Sequence, residues 1–193
     1  MSRQEQHSTG VILYGPPASG KDTVTAALCA VSPDYQQFAR LKVGDGKSLG
    51  YRFCSIRQLL QLEKAGDIVY TNTRYGNTYI VDRPGLNEAF VSGVPVVHMG
   101  QVVGVQAVAT GFRANWLTVL LWCSREATKE RSQGRGDRDT AARLEAWDAT
   151  LQDLDAHPKS TWDLTISTEE HSPDVAARLI DQLLAERAVA AQA

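Results

Sequence analysis

The sequence is poor in cysteine and contains no long apolar run. Its three cysteines, Cys29, Cys54 and Cys123, lie far apart in 193 residues, and no pair has metal-ligand spacing. A disulfide scaffold and a cysteine metal site are therefore excluded. No apolar segment approaches the roughly 20 residues that span a bilayer. The N-terminal MSRQEQHSTG lacks the apolar stretch of a signal peptide, so we expect a cytoplasmic protein.

A strong excess of one charge is also absent. The chain has 20 lysine and arginine residues against 22 aspartate and glutamate residues, for a formal net charge of −2. No overall field attracts nucleic acid or an anionic membrane, so we expect neither as a partner. The length and the 43% hydrophobic content fit one globular domain, and we expect a monomer or a homodimer.

The most informative pattern is VILYGPPASGKDTVTAAL at residues 11–28. Residues 11–14 predict a buried strand, and the segment after Lys21 has helical periodicity. Between them, Gly15 and Gly20 let successive backbone N–H groups face an anion, while the helix N-terminus and Lys21 add positive charge. This strand–loop–helix pattern predicts a nucleoside triphosphate site made by Gly15, Pro16, Ala18, Ser19, Gly20, Lys21, Asp22 and Thr23.

Apolar strands alternate with helices through most of the chain. The pattern predicts strands at residues 11–14, 95–99, 117–122 and 162–167, separated by helical segments. This alternation predicts an α/β fold, with a parallel, doubly wound sheet flanked by helices. Short strands interrupt the rhythm at about residues 35–80, which we interpret as an inserted acceptor-binding lobe. The remaining core of this single domain would comprise residues 9–34 and 84–193.

Four segments in order resemble the guanylate-kinase-like family of P-loop kinases. They are GPPASGKDT at 15–23, YRFCSIRQLLQLEKAGDIV at 51–69, RYGNT at 74–78 and ATKERSQGRGDRDTAARLEAW at 127–147. Any one match is weak, but their order makes the resemblance fairly specific over nearly the whole chain. It implies a P-loop kinase fold with ATP and Mg²⁺ as cofactors. The last segment is similar to the family's lid, here about residues 134–140.

The resemblance also implies roles for matched positions. Lys21 would hold the outer phosphates of ATP, and Arg131 would lie against the adenine. With Lys21, Arg135 and Arg143 would be catalytic when the lid closes, because phosphoryl transfer depends on positioning and on neutralising phosphate charge. The acceptor would be bound by Arg40, Lys42, Tyr51, Arg74, Tyr75, His98 and Gln101. Alternatively, the cations form solvated surfaces, the tyrosines only pack, and His98 is a hydrogen-bonded core residue.

Three features depart from true guanylate kinases. The family's base-reading glutamate corresponds to Val69, and the strand end VVHMGQVVG carries His98 and Gln101 but no carboxylate. A guanine site loses selectivity without its carboxylate. Asp22 also replaces the Ser or Thr that normally follows the lysine. It is either a Mg²⁺ ligand or an acid that balances the helix dipole.

The GKDT and RYG segments also resemble ribose bisphosphate phosphokinases, whose acceptor has no base. The sequence therefore predicts an ATP-dependent phosphotransferase that acts on a small phosphorylated acceptor, of ribose phosphate or nucleoside monophosphate type. Alternatives are a guanylate kinase acting on GMP and a catalytically inactive guanylate-kinase-like binding module. A P-loop hydrolase is disfavoured because neither central predicted strand ends in aspartate.

Overall fold

The computed structural model describes residues 9–46, 50–74, 76–136 and 139–190. Within these ranges β-branched and aromatic residues dominate the longer strands, as expected of pleated, buried segments. In chain order the elements are β1 (Thr9–Tyr14), α1 (Lys21–Val31), β2 (Tyr35–Gln37), β3 (Arg40–Val43), β4 (Tyr51–Phe53), α2 (Ile56–Ala65), β5 (Ile68–Arg74), β6 (Asn77–Asp82), α3 (Arg83–Ser92), β7 (Val94–Met99), α4 (Val102–Gly111), β8 (Asn115–Trp122), α5 (Arg125–Gly134), α6 (Thr140–Ala156), β9 (Leu164–Ser167) and α7 (Pro173–Ala190).

Five parallel strands form the core sheet, in the order β2-β7-β1-β8-β9. β1 lies at the centre, where Leu13 pairs with His98 of β7 and with Val119 of β8. One apolar cluster lies under α1 and α7, and a second lies under α3 and α4 on the other face. The predicted α/β fold, a parallel sheet flanked by helices, is confirmed. The loop after β1 and the end of β7 meet at one edge, where open α/β sheets bind ligands.

A second, four-stranded sheet has the order β4-β3-β6-β5 and mixes parallel with antiparallel pairs. It corresponds to the predicted lobe, but the boundaries differ from residues 35–80. β2 belongs to the core sheet because Tyr35 pairs with Val94, is buried, and donates a hydrogen bond to Asp181 of α7 at 2.7 Å. The lobe sheet therefore begins at Arg40 and ends at Asp82.

One carboxylate joins this lobe to the core. Arg52 of β4 forms an ion pair with the buried Asp82, and its Nε donates to the Ala39 carbonyl at 2.8 Å. Asp82 also accepts a hydrogen bond from the Gly85 backbone N at 2.9 Å, which caps α3. The end of β6 is thereby tied to β4 and to the first turn of α3.

The predicted lid lies between α5, which ends at Gly134, and α6, which begins at Thr140. Residues 137–138 of this segment lie outside the described residues. None of the helices within the described ranges combines the length and apolar character needed to cross a membrane.

Candidate functional site

The loop between β1 and α1 has the backbone of an anion-binding turn. Gly15 adopts φ 155° and Gly20 adopts φ 88°, and a side chain on Gly15 would place its Cβ 2.1 Å from the Leu121 carbonyl oxygen. Ala18 also has a left-handed backbone, with φ 58°. Strained conformations of this kind cluster at ligand sites, and the first turn of α1 adds unpaired N–H groups.

Lys21 is folded back over this loop. Its Nζ donates to the carbonyls of Gly15 at 2.7 Å and Pro16 at 2.8 Å, and to Ser19 Oγ at 3.2 Å. Burial, assisted by the positive charge of Arg40 of the lobe, lowers the pKa of Lys21 to about 8. The Asp22 carboxylate opposes this shift. Lys21 of α1 and Arg40 of β3 therefore lie close enough for their charges to interact.

A cavity of about 340 Å³ opens on the other side of the loop. Two predicted arginines, Arg131 and Arg135, line it together with residues of the loop, of α1 and of the turn after β9. Its volume and its position beside the loop leave room for a ligand of nucleoside size. The cavity is lined by Ala18, Gly20, Thr23, Val24, Arg131, Arg135, Thr168, His171 and Pro173.

Arg131 holds two walls of this donor-side cavity together. Its Nη1 donates to the Ala18 carbonyl at 3.0 Å and to Thr168 Oγ1 at 2.9 Å, and its Nη2 donates to the Thr168 carbonyl at 2.7 Å. The side chain thus braces the loop against the end of β9. Arg131 also lines this cavity, and its predicted place beside the adenine stays a prediction.

His98 lies at the end of β7, directly beside the loop. Its Nε2 is 2.8 Å from Thr25 Oγ1, and its Nδ1 is 3.5 Å from Asp22 Oδ1. Burial, followed by the positive charge of Lys21, holds the pKa of His98 well below its usual range, so the ring is neutral at pH 7. His98 is thus hydrogen-bonded within the fold and also borders the phosphate loop. The Asp22 side chain, in contrast, is 84% exposed.

The lobe carries a second cationic cluster. Arg40 Cζ lies 5.8 Å from the Tyr51 ring centre and 5.3 Å from the Tyr79 ring centre. Lys42 Nζ lies 5.6 Å from the Tyr51 ring, is almost fully buried, and donates to the Asp45 carbonyl. Guanidinium, ammonium and phenol groups can all donate hydrogen bonds to phosphate oxygens. This cluster can therefore bind a second phosphate.

A smaller cavity of about 220 Å³ lies between β5, the end of β7 and α6. Gln101 lines it, and its Oε1 accepts a hydrogen bond from Tyr70 at 2.6 Å. Asp153 also lines it, and its Oδ2 accepts from Tyr14 at 2.8 Å and from the Val102 backbone N at 2.7 Å. The full lining is Asn72, Thr73, Arg74, Gly100, Gln101, Ala149, Thr150 and Asp153.

The same fold occurs in solved kinases. Guanylate kinase from Anaplasma phagocytophilum superposes with a TM-score of 0.62 at 20% sequence identity, covering 94% of this chain and 87% of that chain. This chain has the fold of the P-loop kinases. Shikimate kinase from Acinetobacter baumannii, solved in complex with shikimate, gives a TM-score of 0.51 at 16% identity, covering 95% of this chain and 96% of that chain. No protein-family model and no curated protein matches the sequence.

Within this P-loop kinase fold the predicted site residues fall into separate groups. Ala18, Gly20 and Thr23 line the larger cavity together with Arg131 and Arg135, and Arg40, Lys42 and Tyr51 form the lobe cluster. Arg74 and Gln101 line the smaller cavity, whereas Arg143 bonds with Asp139 at 3.2 Å. Tyr75 lies outside the described residues.

Val69, which corresponds by resemblance to the family's base-reading glutamate, lies away from the smaller cavity. Val69 packs in an apolar cluster at the Gly111 end of α4, the far end from Gln101. A β-bulge between Ile68 and Tyr70 shifts the register, and the next residue, Tyr70, contacts Gln101 instead. Val69 therefore does not line the small cavity.

Several site residues escaped prediction from the sequence. Around the lobe cluster and the smaller cavity, these residues lie next to predicted ones. Strand pairing or helix packing brings them there from distant parts of the chain. Tyr79 pairs with Lys42 across two strands, which an assigned hairpin at RYGNT could have indicated. No local signal marks the others, which are Thr25, Asn72, Asp153, Thr168 and His171.

Proposed function

We propose that the chain is a phosphotransferase that moves the γ-phosphoryl group of ATP to a small phosphorylated acceptor, of ribose phosphate or nucleoside monophosphate type. One observation carries the proposal. The loop around Lys21 would form one phosphate site, and Arg40 with Lys42 would form a second; the two groups lie close enough for Arg40 to lower the pKa of Lys21. A hydrolase needs only the first site, whereas a kinase with a phosphorylated acceptor needs both.

On the donor side, the loop N–H groups and Lys21 would hold the outer phosphates. The Lys21 ammonium would exchange its bonds to the Gly15 and Pro16 carbonyls for bonds to phosphate oxygens. Arg131 would keep the loop and the nucleoside cavity in register through its bonds to Ala18 and Thr168. Both actions are positioning, which supplies most of the catalysis in phosphoryl transfer.

On the acceptor side, Arg40 and Lys42 would hold the acceptor's phosphate. An acceptor oxygen then attacks the γ-phosphorus in line, and the bond to the β–γ bridging oxygen breaks, leaving ADP with the electron pair. Lys21, Arg135 and Arg143 would stabilise the spread charge, for which Arg143 must exchange its contact with Asp139. No covalent intermediate on the protein is required.

The residues fit a Mg²⁺ ion bound with the triphosphate. Asp22 offers an exposed carboxylate beside Lys21, and the described residues contain no cluster of three histidine, cysteine or acidic side chains for a metal. Mg²⁺ is commonly held by one or two carboxylates together with phosphates and water, which this arrangement allows. When bound, the ion supplies charge neutralisation at the phosphates.

A guanylate kinase acting on GMP is the second candidate, favoured by the similarity to the Anaplasma guanylate kinase. Recognition of guanine depends on a carboxylate. The carboxylate that lines the small cavity, Asp153, already accepts hydrogen bonds from Tyr14 and from the Val102 backbone, which argues against GMP. An inactive binding module is disfavoured because Lys21 and the lid arginines are retained. A cytoplasmic location, and a monomer or homodimer without nucleic acid or membrane partners, remain predictions.

The test is a screen for acceptor-dependent ADP formation with ATP and Mg²⁺. The acceptors are ribose phosphates, the four common ribonucleoside monophosphates and other phosphorylated metabolites. We expect ADP formation to depend on one acceptor class and to be small without it. ADP formation that needs no acceptor would instead identify a hydrolase, and activity with GMP alone would identify the second candidate.

A further inference from the structure

One face of the lobe sheet joins the phosphate cluster to the small cavity. Asn72 of β5 pairs directly with Tyr79 of β6, which pairs directly with Lys42 of β3. Directly paired residues of antiparallel strands point to the same side of a sheet. Arg74, two residues further along β5, follows on that side and lines the cavity with Asn72. An acceptor whose phosphate lies at Arg40 and Lys42 therefore extends its other end toward Asn72.

Asn72 has an unused hydrogen-bond acceptor at this point. Its Oδ1 is buried and has no partner, and it is the only buried side-chain nitrogen or oxygen in the described part of the chain of which this is true. Buried polar atoms are almost always hydrogen-bonded, because an unpaired one costs its full desolvation. Asn72 itself lines the cavity, so a ligand there can supply the missing donor once the amide turns toward it.

Gln101 and Asp153, which also line the cavity, already accept hydrogen bonds. Gln101 Oε1 accepts from Tyr70 at 2.6 Å, and Asp153 Oδ2 accepts from Tyr14 and from the Val102 backbone. Thr150 donates its hydroxyl proton to the Ala146 carbonyl at 2.8 Å. Of the side-chain oxygens that line the cavity, Asn72 Oδ1 is thus the buried one that lacks a partner in the described part of the chain.

We propose that Asn72 determines acceptor specificity by accepting a hydrogen bond from an uncharged N–H or O–H group of the acceptor molecule. The inference rests on the proposed function and specifies its substrate class. The donor is either an exocyclic amino group of a base or a hydroxyl of the sugar. A neutral amide oxygen suits one such donor, whereas a group that offers only acceptors gains nothing there.

The test compares Asn72→Leu with wild type by calorimetric titration of AMP, CMP, GMP and ribose 5-phosphate. Thr71→Leu is the matched control, because Thr71 is the exposed neighbour on the other face of β5. We expect at least one probe to bind, with roughly three- to tenfold weaker affinity in Asn72→Leu and unchanged affinity in Thr71→Leu. If Asn72→Leu also loses affinity for ribose 5-phosphate, the hydrogen-bond donor is a hydroxyl of the sugar. If it loses affinity only for the nucleotides, which carry an amino group, the donor is the base.

Two further measurements keep recognition separate from folding and from the proposed function. Asn72→Leu should unfold at the same or a higher Tm, because an unpaired buried acceptor is removed, and it should bind ATP normally. Equal affinity of wild type and Asn72→Leu for every bound probe would overturn the inference, and so would the failure of all four probes to bind. The proposed function itself fails only if acceptor-dependent ADP formation is absent from wild type.

Discussion

Arg131 donates a hydrogen bond to the carbonyl oxygen of Ala18 across 3.0 Å, and Ala18 is the one non-glycine residue of the described ranges with a left-handed backbone. That conformation costs an L-residue about 1–2 kcal/mol. The guanidinium of Arg131 also donates hydrogen bonds to Thr168, which fixes its position. Its bond to Ala18 therefore helps to hold the loop in this strained form. Helix α5 and the loop between β1 and α1 are therefore coupled through one side chain.

The Arg131→Lys variant tests this coupling. A lysine keeps the charge but cannot bond to Ala18 and to both Thr168 oxygens in the same planar geometry. We expect roughly tenfold weaker ATP binding in calorimetry. Arg125→Lys is the control, since Arg125 lies on the same helix but pairs with Asp148 at the surface. Equal ATP affinity of Arg131→Lys and wild type would contradict the bracing role.

The pKa of Lys21, lowered by burial to about 8, predicts proton uptake when ATP binds. Phosphates stabilise the charged ammonium, so the pKa rises in the complex, and above pH 8 binding must add a proton. We expect ATP affinity to fall as pH rises through 8, and the binding enthalpy at pH 9 to depend on the buffer's ionisation enthalpy. Lys21→Met should remove that dependence. A wild-type enthalpy that is the same in all buffers at pH 9 would refute the prediction.

Lys21 also affects the free protein in a defined direction. Its folded pKa of about 8 lies below the ordinary value of 10.5. Between these two values the unfolded chain binds more protons than the folded chain, so the contribution of Lys21 to stability rises with pH in that window. The stability of wild type relative to Lys21→Met, measured by urea denaturation, is therefore expected to be greater at pH 10 than at pH 7.

Asp22→Ser tests the carboxylate as a Mg²⁺ ligand. If Asp22 supplies a metal oxygen, the variant needs a higher Mg²⁺ concentration for half-maximal ATP turnover and for binding of Mg²⁺ with ATP in calorimetry. Asp174→Ser is the matched control, because Asp174 is a first-turn acid of α7 that balances only a helix dipole. If both variants keep the wild-type Mg²⁺ dependence, Asp22 is merely such an acid.

Asp163 links β8 to α7 and predicts an acid-sensitive contribution to stability. Burial raises the pKa of this carboxyl, but hydrogen bonds from Arg187 and from Thr118 outweigh burial and hold it below its usual value. Its stabilisation is therefore present at neutral pH and lost as pH falls below about 4. We expect Asp163→Asn to lower the unfolding free energy by about 1–3 kcal/mol at pH 7, measured by urea denaturation.

The control for Asp163 is Asp148→Asn, which removes an ion pair with Arg125 that lies fully at the surface. Exposed pairs of this kind contribute little, so we expect no comparable loss. The difference between Asp163→Asn and wild type should also shrink steadily below pH 4. A difference that stays constant down to pH 3 would show that the carboxylate's charge is not its source.

The core fold and the donor loop could be predicted because their signals are local. A strand, two glycines, a lysine and a helix lie within residues 11–28, and buried parallel strands appear as apolar runs. The lobe boundary was less accurate because Tyr35 begins a three-residue strand whose place depends on pairing with Val94. So short a strand carries too little pattern to assign it to one sheet rather than another.

The lobe cluster could be predicted only in part. Arg40, Lys42 and Tyr51 were proposed from the resemblance, and strand register places Tyr79 and Asn72 on the same face of the lobe sheet as Lys42. The β-bulge before Tyr70 decides which side chains of β5 face the cavity, and no residue type in GDIVYT marks it. Asp153 comes from α6, more than fifty residues along the chain from Gln101.

In the proposed reaction, Lys21 serves a phosphoryl transfer between two phosphate sites. The most direct measurement follows label from γ-³²P-ATP to the acceptor found in the screen, for wild type, Lys21→Ala and the exposed control Lys64→Ala. We predict transfer by wild type and Lys64→Ala, and a loss of at least about a hundredfold in Lys21→Ala with folding retained. Full transfer by Lys21→Ala, or label that appears only as inorganic phosphate in wild type, would contradict the account.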